Sequence, residues 1–241
     1  MVIPTYNEIE NLEGMLDALL EALPQAHALV VDDGSPDGTG QLADTIAARE
    51  PRVAVLHRSS KEGLGPAYRA GFRWVLDRPE TDAVVQMDAD FSHDPHDLPR
   101  LLAPLMVGAD LAMGARYVPG GGTVGWPWYR RLISRGGTTF ARTVLLLPYR
   151  DLTGGFKAWR RELLDSVRLR DIGASGYAFQ IETTWWAYRR GARIVQVPII
   201  FRERTAGRSK MTGGIVREAM VRVLALRWAT LPFLGREDRS P

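Results

Sequence analysis

The sequence has no cysteine, which excludes a disulfide framework and a thiolate metal centre. Histidine is scarce, four in all and never clustered, so no zinc-like ligand set competes for attention. Only three of the 31 basic residues are lysines (Lys61, Lys157 and Lys210), an arginine excess for which a GC-rich genome is a sufficient explanation. No apolar run approaches the roughly 18–20 residues a membrane-spanning helix needs. No signal-peptide pattern precedes the first motif, and the opening "MVIPTYNE" already reads as a strand, which leaves the natural start open. Internal repeats and low-complexity linkers are missing too. What remains is an ordinary globular composition, 45% apolar and 24% charged, in 241 residues: one large domain, or one domain with an appendage. The net charge of +3 is unevenly spread. Residues 1–50 hold ten acidic side chains and one basic, whereas residues 111–170 hold eleven basic and three acidic. That asymmetry points to an anionic partner on one side of the molecule.

Short apolar runs alternate with helical patterns over the first 115 residues. Val2–Pro4, Ala28–Asp33, Val53–His57, Ala83–Met87 and Asp110–Gly114 are expected to be strands buried on both faces. Glu8–Leu23, Gly38–Arg49, Leu64–Asp77 and Asp94–Val107 are expected to be helices. This rhythm predicts an α/β fold with a mostly parallel sheet and helices on both faces, a design that gathers ligands beyond the carboxyl ends of its strands. Each of these strands ends in polar residues: "TYNE", "DDGSPDGTG", "HRSSKEGLG", "DADFSHD", "GARYVPGGG". Further on, "WPWYRRLISRGGTTFARTVLLLP" reads as a helix, "DLTGGFKAWRR" as a glycine turn between elements, Ala178–Arg190 as a helix, Ile194–Phe201 as one strand, and Ile215–Leu231 as a final amphipathic helix. Trp185 and Trp186 are expected in the core.

The strand end "VVDDGSPDGTG" is itself anionic, unlike a glycine-rich phosphate loop that offers N–H groups to an anion. It is either good turn chemistry or a pair of carboxylates that accepts hydrogen bonds from a nucleobase or ribose. The strand running into "MDADFSHDP" poses a similar choice, an acidic loop opening a helix or a metal site. Asp88 and Asp90 are hard oxygen ligands suited to Mg²⁺ or Mn²⁺ beside substrate phosphates, with the Ser92 hydroxyl as a weaker neighbour and His93 in a structural role. The loop "RERTAGRSKMTGG" carries four basic side chains and reads as a cover for an anion or as a solvated surface. Arg130 and Ser134 share a helix face. Arg131, Arg135 and Arg142 form a basic stripe near Trp126, Trp128 and Tyr129, as in a membrane-interface helix or an ordinary amphipathic one. The sequence pI of about 9.4 comes with no nucleic-acid motif and no aromatic-basic stacking face, so no nucleic-acid partner is expected.

Taken in order, "VIPTYNE", "VVDDGSPDGTG", "MDADFSHDP", "GARYVPGG", "DLTGGFKAWRR" and "GYAFQIETTWWAYRRGARIVQVPIIFRERTAGRSKM" resemble the polyprenyl-phosphate (dolichol-phosphate) mannose synthases, family 2 glycosyltransferases of the GT-A fold. The resemblance covers residues 2–212 and decides the "DAD" question for the metal. It implies a Rossmann-like GT-A catalytic domain over residues 1–212, with residues 213–241 as a C-terminal amphipathic helix and tail in the same domain or at a membrane surface. It implies that Pro4, Tyr6, Glu8, Val31 and Asp33 hold the base and ribose, and that Asp88, Ala89 and Asp90 meet the donor diphosphate. Asp88, Asp90 and Ser92 would bind Mg²⁺ or Mn²⁺, although some relatives carry Gln where this chain has Ser92. Arg116 would touch donor or acceptor phosphate, Arg204 and Lys210 would clamp the donor phosphates, and Arg130 and Ser134 would meet the acceptor phosphate. Asp90, Arg116, Arg204 and Lys210 are then the catalytic set. Asp151 is expected to orient sugar hydroxyls or an arginine. The implied reaction takes mannose from GDP-mannose to a polyprenyl phosphate with inversion, by a peripheral protein at the cytoplasmic face of a membrane or beside a membrane-embedded partner domain. Two alternatives stand beside it: a UDP-sugar donor delivering glucose or N-acetylglucosamine, and a silent nucleotide-sugar-binding scaffold.

Overall fold

The computed structural model describes residues 1–167, 169, 172–174, 176, 178–203 and 213–228. Arg204, Lys210 and residues 229–241 lie outside the described residues. Strands β1 (Val2–Thr5), β2 (Ala28–Asp32), β3 (Val53–His57), β4 (Ala83–Gln86), β5 (Leu111–Ala115), β7 (Lys157–Arg160) and β8 (Ile194–Pro198) form one sheet in the order β3-β2-β1-β4-β7-β5-β8. All neighbours are parallel except at β7, which runs antiparallel to both β4 and β5.

Successive residues of a strand point to opposite faces, so each buried strand feeds two cores. On one face Ile3 and Val30 pack against Leu12, Met15, Leu16 and Leu19 of α1 (Leu12–Ala22). On the other, Val2, Leu29 and Val31 pack against Tyr68, Phe72 and Val75 of α3 (Leu64–Leu76). Gly71 lets α3 lie directly on the sheet: a Cβ there would sit 2.4 Å from Val2 Cγ1. Helix α2 (Thr39–Arg49) and helix α4 (Leu98–Met106), the latter entered through a 3₁₀ turn at Pro95–Asp97, complete the N-terminal layers.

Two elements and one side chain differ from expectation. The "KAWR" part of the glycine turn is the interior strand β7, continued by the short helix α6 (Arg161–Ser166). The stretch Ile194–Phe201 is not one strand. Proline at 198, which has no N–H to donate, ends β8, and the chain resumes as β9 (Ile200–Arg202), paired with β6 (Gly122–Val124) in a two-stranded sheet. Trp126, grouped by sequence with a surface belt, is turned inward and only 6% exposed.

Among the described residues, the C-terminal half holds three longer helices beside α6. One face of α5 (Trp128–Leu145) buries Arg130, Ser134, Thr138, Ala141 and Leu145 at helical spacing. Helix α8 (Gly213–Trp228) packs on α5 and on α7 (Ala178–Arg189) through Val223 and Leu226, which join Ile181 and Trp185 in a third cluster. Arg222 of α8 also donates from Nε to the fully buried Glu182 carboxylate of α7 at 2.9 Å. No helix among the described residues is long and apolar enough to cross a membrane.

Candidate active site

Strand β1 has β2 on one side and β4 on the other, so the chain's crossovers diverge there and leave a crevice beyond the strand ends. The β1 end supplies Pro4, Tyr6 and Glu8. Glu8 Oε2 accepts from Asn11 Nδ2 at 3.0 Å, and Lys61 Nζ lies 3.9 Å above the centre of the Tyr6 ring. At the β2 end the two carboxylates divide their work. Asp32 accepts from Thr5 Oγ1 at 3.2 Å and from Ser35 N at 3.1 Å, which ties down the turn. Asp33 is gripped by Arg58 Nη1 at 2.6 Å. Burial raises the Asp33 pKa, a push that the Arg58 charge opposes. Val31 is fully enclosed between sheet and α3 and so shapes the site from within the core.

Beyond β4, Phe91 takes a left-handed backbone conformation (φ 57°), unusual for a bulky residue. Its ring reaches Gly14 of α1 and packs against the core there, which holds the bent "DADF" turn in place. Ala89, Asp90 and Ser92 are nearly fully buried, whereas Asp88 reaches the cleft. Tyr68 donates its phenolic O–H to Asp88 Oδ1 at 3.3 Å. Burial first, and then the charges of Asp88 and Asp90, push the Tyr68 pKa well above its usual value, so the phenol stays a donor. The Ser92 N–H donates to Asp90 Oδ1 at 3.1 Å, and the buried Ser92 Oγ has no hydrogen-bond partner among the described residues. Two carboxylates, a donor that orients one of them and an unused hydroxyl make an all-oxygen set that fits a hard divalent cation.

Across the cleft stands a cationic wall. Arg116 makes a bidentate pair with Asp151 (Nε–Oδ2 2.7 Å, Nη2–Oδ1 2.8 Å), and its Nη2 also donates to Thr153 Oγ1 at 2.8 Å. Burial works to raise the Asp151 carboxyl, but the Arg116 charge and hydrogen bonds outweigh it and hold the pKa below the usual carboxylate range. Asp151 therefore orients an arginine, one of its two expected duties. Arg130 pairs with Glu203 Oε1 at 2.8 Å and lies over the Trp126 ring at 4.2 Å. Ser134 Oγ is 3.5 Å from Thr153 Oγ1. His93 is stacked on Phe156 and edge-on to Phe201, in keeping with a structural role.

Asp88, Arg116, Arg130, Ser134 and Thr153 meet in one cleft of about 910 Å³, its open mouth included. Away from Asp88 the lining turns apolar, with Ile133, Gly137 and Phe140 of α5 facing Ala219, Met220 and Val223 of α8. Sequence reasoning missed Tyr68, Thr153 and the Phe201 wall. Tyr68 hides in the apolar face of α3, and nothing local marks it. The polar Thr153 beside Asp151 in "DLTGG" was the one available signal.

The Glycosyl transferase family 2 profile matches residues 1–168. The whole chain is 50% identical to polyprenol monophosphomannose synthase of Mycolicibacterium smegmatis, spanning 89% of that protein. It is 52% identical to undecaprenyl-phosphate mannosyltransferase of Micrococcus luteus over 95% of this chain and 96% of that one. Identity to dolichol-phosphate mannosyltransferase of Pyrococcus furiosus is 36%, over 95% of this chain and 63% of that protein. Among solved structures, glucosyl-3-phosphoglycerate synthase from Mycobacterium tuberculosis, in complex with Mn²⁺, UDP-glucose and phosphoglyceric acid, matches with a TM-score of 0.70 at 24% identity, over 94% of this chain and 78% of that one, a likeness of fold. A profile match over most of the chain and full-length relatives at half identity place the protein in glycosyl transferase family 2, as a glycosyltransferase with the GT-A fold.

Proposed function

We propose that this enzyme transfers mannose from GDP-mannose to the phosphate of a polyprenyl monophosphate, with inversion and with a divalent cation, at the cytoplasmic face of a membrane. One observation carries the reading: the cleft presents, in sequence, a carboxylate end at Asp88, a cationic station at Arg116, Arg130 and Ser134, and an apolar passage between α5 and α8. Those surfaces match a nucleotide diphosphate with its cation, a phosphate monoester and a prenyl chain. The names of the half-identical relatives support the same acceptor and sugar.

Asp88 and Asp90 would hold the cation, with Ser92 Oγ in their neighbourhood; a bound Mg²⁺ or Mn²⁺ supplies positive charge against the departing diphosphate. Pro4, Tyr6, Glu8 and Asp33 bind the nucleoside end, and Arg204 and Lys210 are assigned to the donor phosphates. Arg116, fixed in plane by Asp151, and Arg130, braced on Trp126, bring the acceptor phosphate to the sugar and offset the repulsion between two anions. A phosphate monoester has a second pKa of about 6 and is mostly dianionic at neutral pH, so its oxygen attacks the anomeric carbon without a general base. Asp151, consumed by Arg116, is not asked to be one. Residues 1–212 act as the catalytic domain. Residues 213–228 contribute α8 as one wall of the acceptor passage.

The test is direct. The purified chain is given Mn²⁺, a short polyprenyl phosphate and either GDP-mannose or UDP-glucose. Mannosyl-phosphoprenol with the β configuration, formed only from GDP-mannose and lost on chelation, is the expected result. Product from UDP-glucose alone overturns the choice of donor, and full turnover with all divalent ions chelated overturns the metal.

A further inference from the structure

Next along α5 from the cleft lies a second concavity, lined by Tyr117, Arg135, Thr138, Thr139, Arg142 and Arg150, of about 490 Å³ with its mouth included. Arg135, Thr138, Thr139 and Arg142 recur every three to four residues and share a helix face. Tyr117 arrives from the segment after β5 and Arg150 from the segment after α5. Arg135 lies over the Tyr117 ring at 5.2 Å. The lining holds three guanidinium groups and no carboxylate, and none of the three has an acidic partner among the described residues. Thr138 is only 2% exposed, yet its Oγ1 has no hydrogen-bond partner among the described residues, and the same is true of the Tyr117 hydroxyl and of Arg142 Nε. Buried polar groups without partners are costly, and here three residues that carry them line one hollow in which positive charge is also concentrated. Donors on several sides of a cationic hollow are what a tetrahedral oxyanion requires.

We propose that this pocket binds a phosphate group, that of an anionic phospholipid headgroup, and so fixes the enzyme on the bilayer beside its acceptor. The same helix leaves Trp128, Tyr129 and Leu132 exposed among its arginines, with Leu146 exposed just past its end, the make-up of a helix lying in a membrane interface. The apolar passage to the reacting centre opens between this helix and α8. The headgroup assignment rests on the lipid-acceptor reading above; the phosphate chemistry of the pocket does not.

The experiment measures partition of the full chain onto phosphatidylcholine vesicles with and without phosphatidylglycerol, alongside thermal melts in inorganic phosphate. The wild type should prefer the anionic vesicles. Arg142→Gln should weaken that preference by about fivefold and the near-isosteric Thr138→Val by about threefold. Arg131→Gln, an exposed neighbour outside the pocket, should change it less than either. If Arg131→Gln matches Arg142→Gln and Thr138→Val has no effect, the attraction is diffuse charge and the pocket is refuted. If phosphate stabilises the wild type and not Thr138→Val while vesicle binding ignores both variants, the ligand is a soluble phosphate and the headgroup assignment falls. Mannosyl transfer to a short water-soluble polyprenyl phosphate, assayed on the same samples, should be unchanged in all three variants. Its absence from the wild type would sink the lipid-acceptor reading without touching the binding result.

Discussion

Lys157 shows how much of the fold's pH response a single buried group can settle. The residue is 1% exposed on β7, and its amino nitrogen donates to Gln180 O at 2.7 Å and Thr184 Oγ1 at 2.9 Å. Burial drives its pKa from the usual 10.5 down to about 7, with Asp151 pulling weakly the other way. The unfolded chain therefore binds a proton that the folded one lacks between about pH 7 and 10.5. Stability from this group rises with pH across that window, by up to about tenfold in the folding constant per unit, and is flat below it. Urea melts at pH 7 and pH 10 should show the rise in the wild type and its loss in Lys157→Met; equal slopes in the two proteins would refute the assignment. Tyr68 makes a second prediction. Removing its hydroxyl takes a donor away from Asp88, so Tyr68→Phe should raise the Mn²⁺ concentration for half-maximal activity by about tenfold. KM for the nucleotide should hold at saturating metal. The placement of Asp88 and Asp90 at a strand end, and of Arg130 and Ser134 on one helix face, was legible in the sequence because those cues are local: a carboxylate pair after an apolar strand, and a four-residue helical step. Tyr68 with Asp88, and Arg116 with Asp151, were not. Those partners are 20 and 35 residues apart, and only the folded sheet brings them together.

At the scale of elements, α5 carries three jobs on one rod. Its buried face gives Arg130 and Ser134 to the cleft, Thr138 to the neighbouring pocket, and Ala141 and Leu145 to the core. Gly136 and Gly137 sit at its middle, and a Cβ at either would meet nothing within 4 Å. Only Gly137 lines the apolar passage. Gly137→Leu should therefore fold at least as well as wild type, since leucine is the better helix former by up to about 1 kcal/mol. Its added side chain should enter the space proposed for the prenyl chain. The expected result is a several-fold higher KM for the lipid acceptor with KM for GDP-mannose unchanged, and Gly136→Leu should leave both alone. Equal acceptor KM in the two variants would remove the passage from the mechanism. The parallel strands and the helices between them were readable from period and from strand-end chemistry. Strand β7 was not, because "KAWR" is short, carries two charges and comes just after a glycine pair that reads as a turn. Its Lys157 is buried by tertiary packing, which no local pattern announces.

On the whole-molecule scale, the order of charge along the chain becomes an order in space. The acidic first fifty residues deliver the β1 and β2 ends, and the basic stretch from 111 to 170 delivers Arg116, Arg130 and the α5 stripe. The cleft runs from Asp88 to that basic wall, so in the proposed reaction a donor held through a cation on one side would meet an acceptor held by arginines on the other. The sequence asymmetry indicated an anionic partner, while the meeting point of two anions needed the fold. This division fixes the expected pH dependence. If no protein group removes a proton, the acid limb of kcat/KM for the acceptor belongs to the substrate phosphate, with a midpoint of about 6. Asp151 cannot supply that limb, because Arg116 keeps its carboxyl ionised to well below that pH. A polyprenyl phosphonate, whose second ionisation lies higher than that of the ester, should carry the limb upward with it. The Tyr68→Phe and Gly137→Leu proteins should leave the midpoint where it is. A limb that stays fixed when the acceptor is changed would reveal a titrating protein base and end the base-free mechanism.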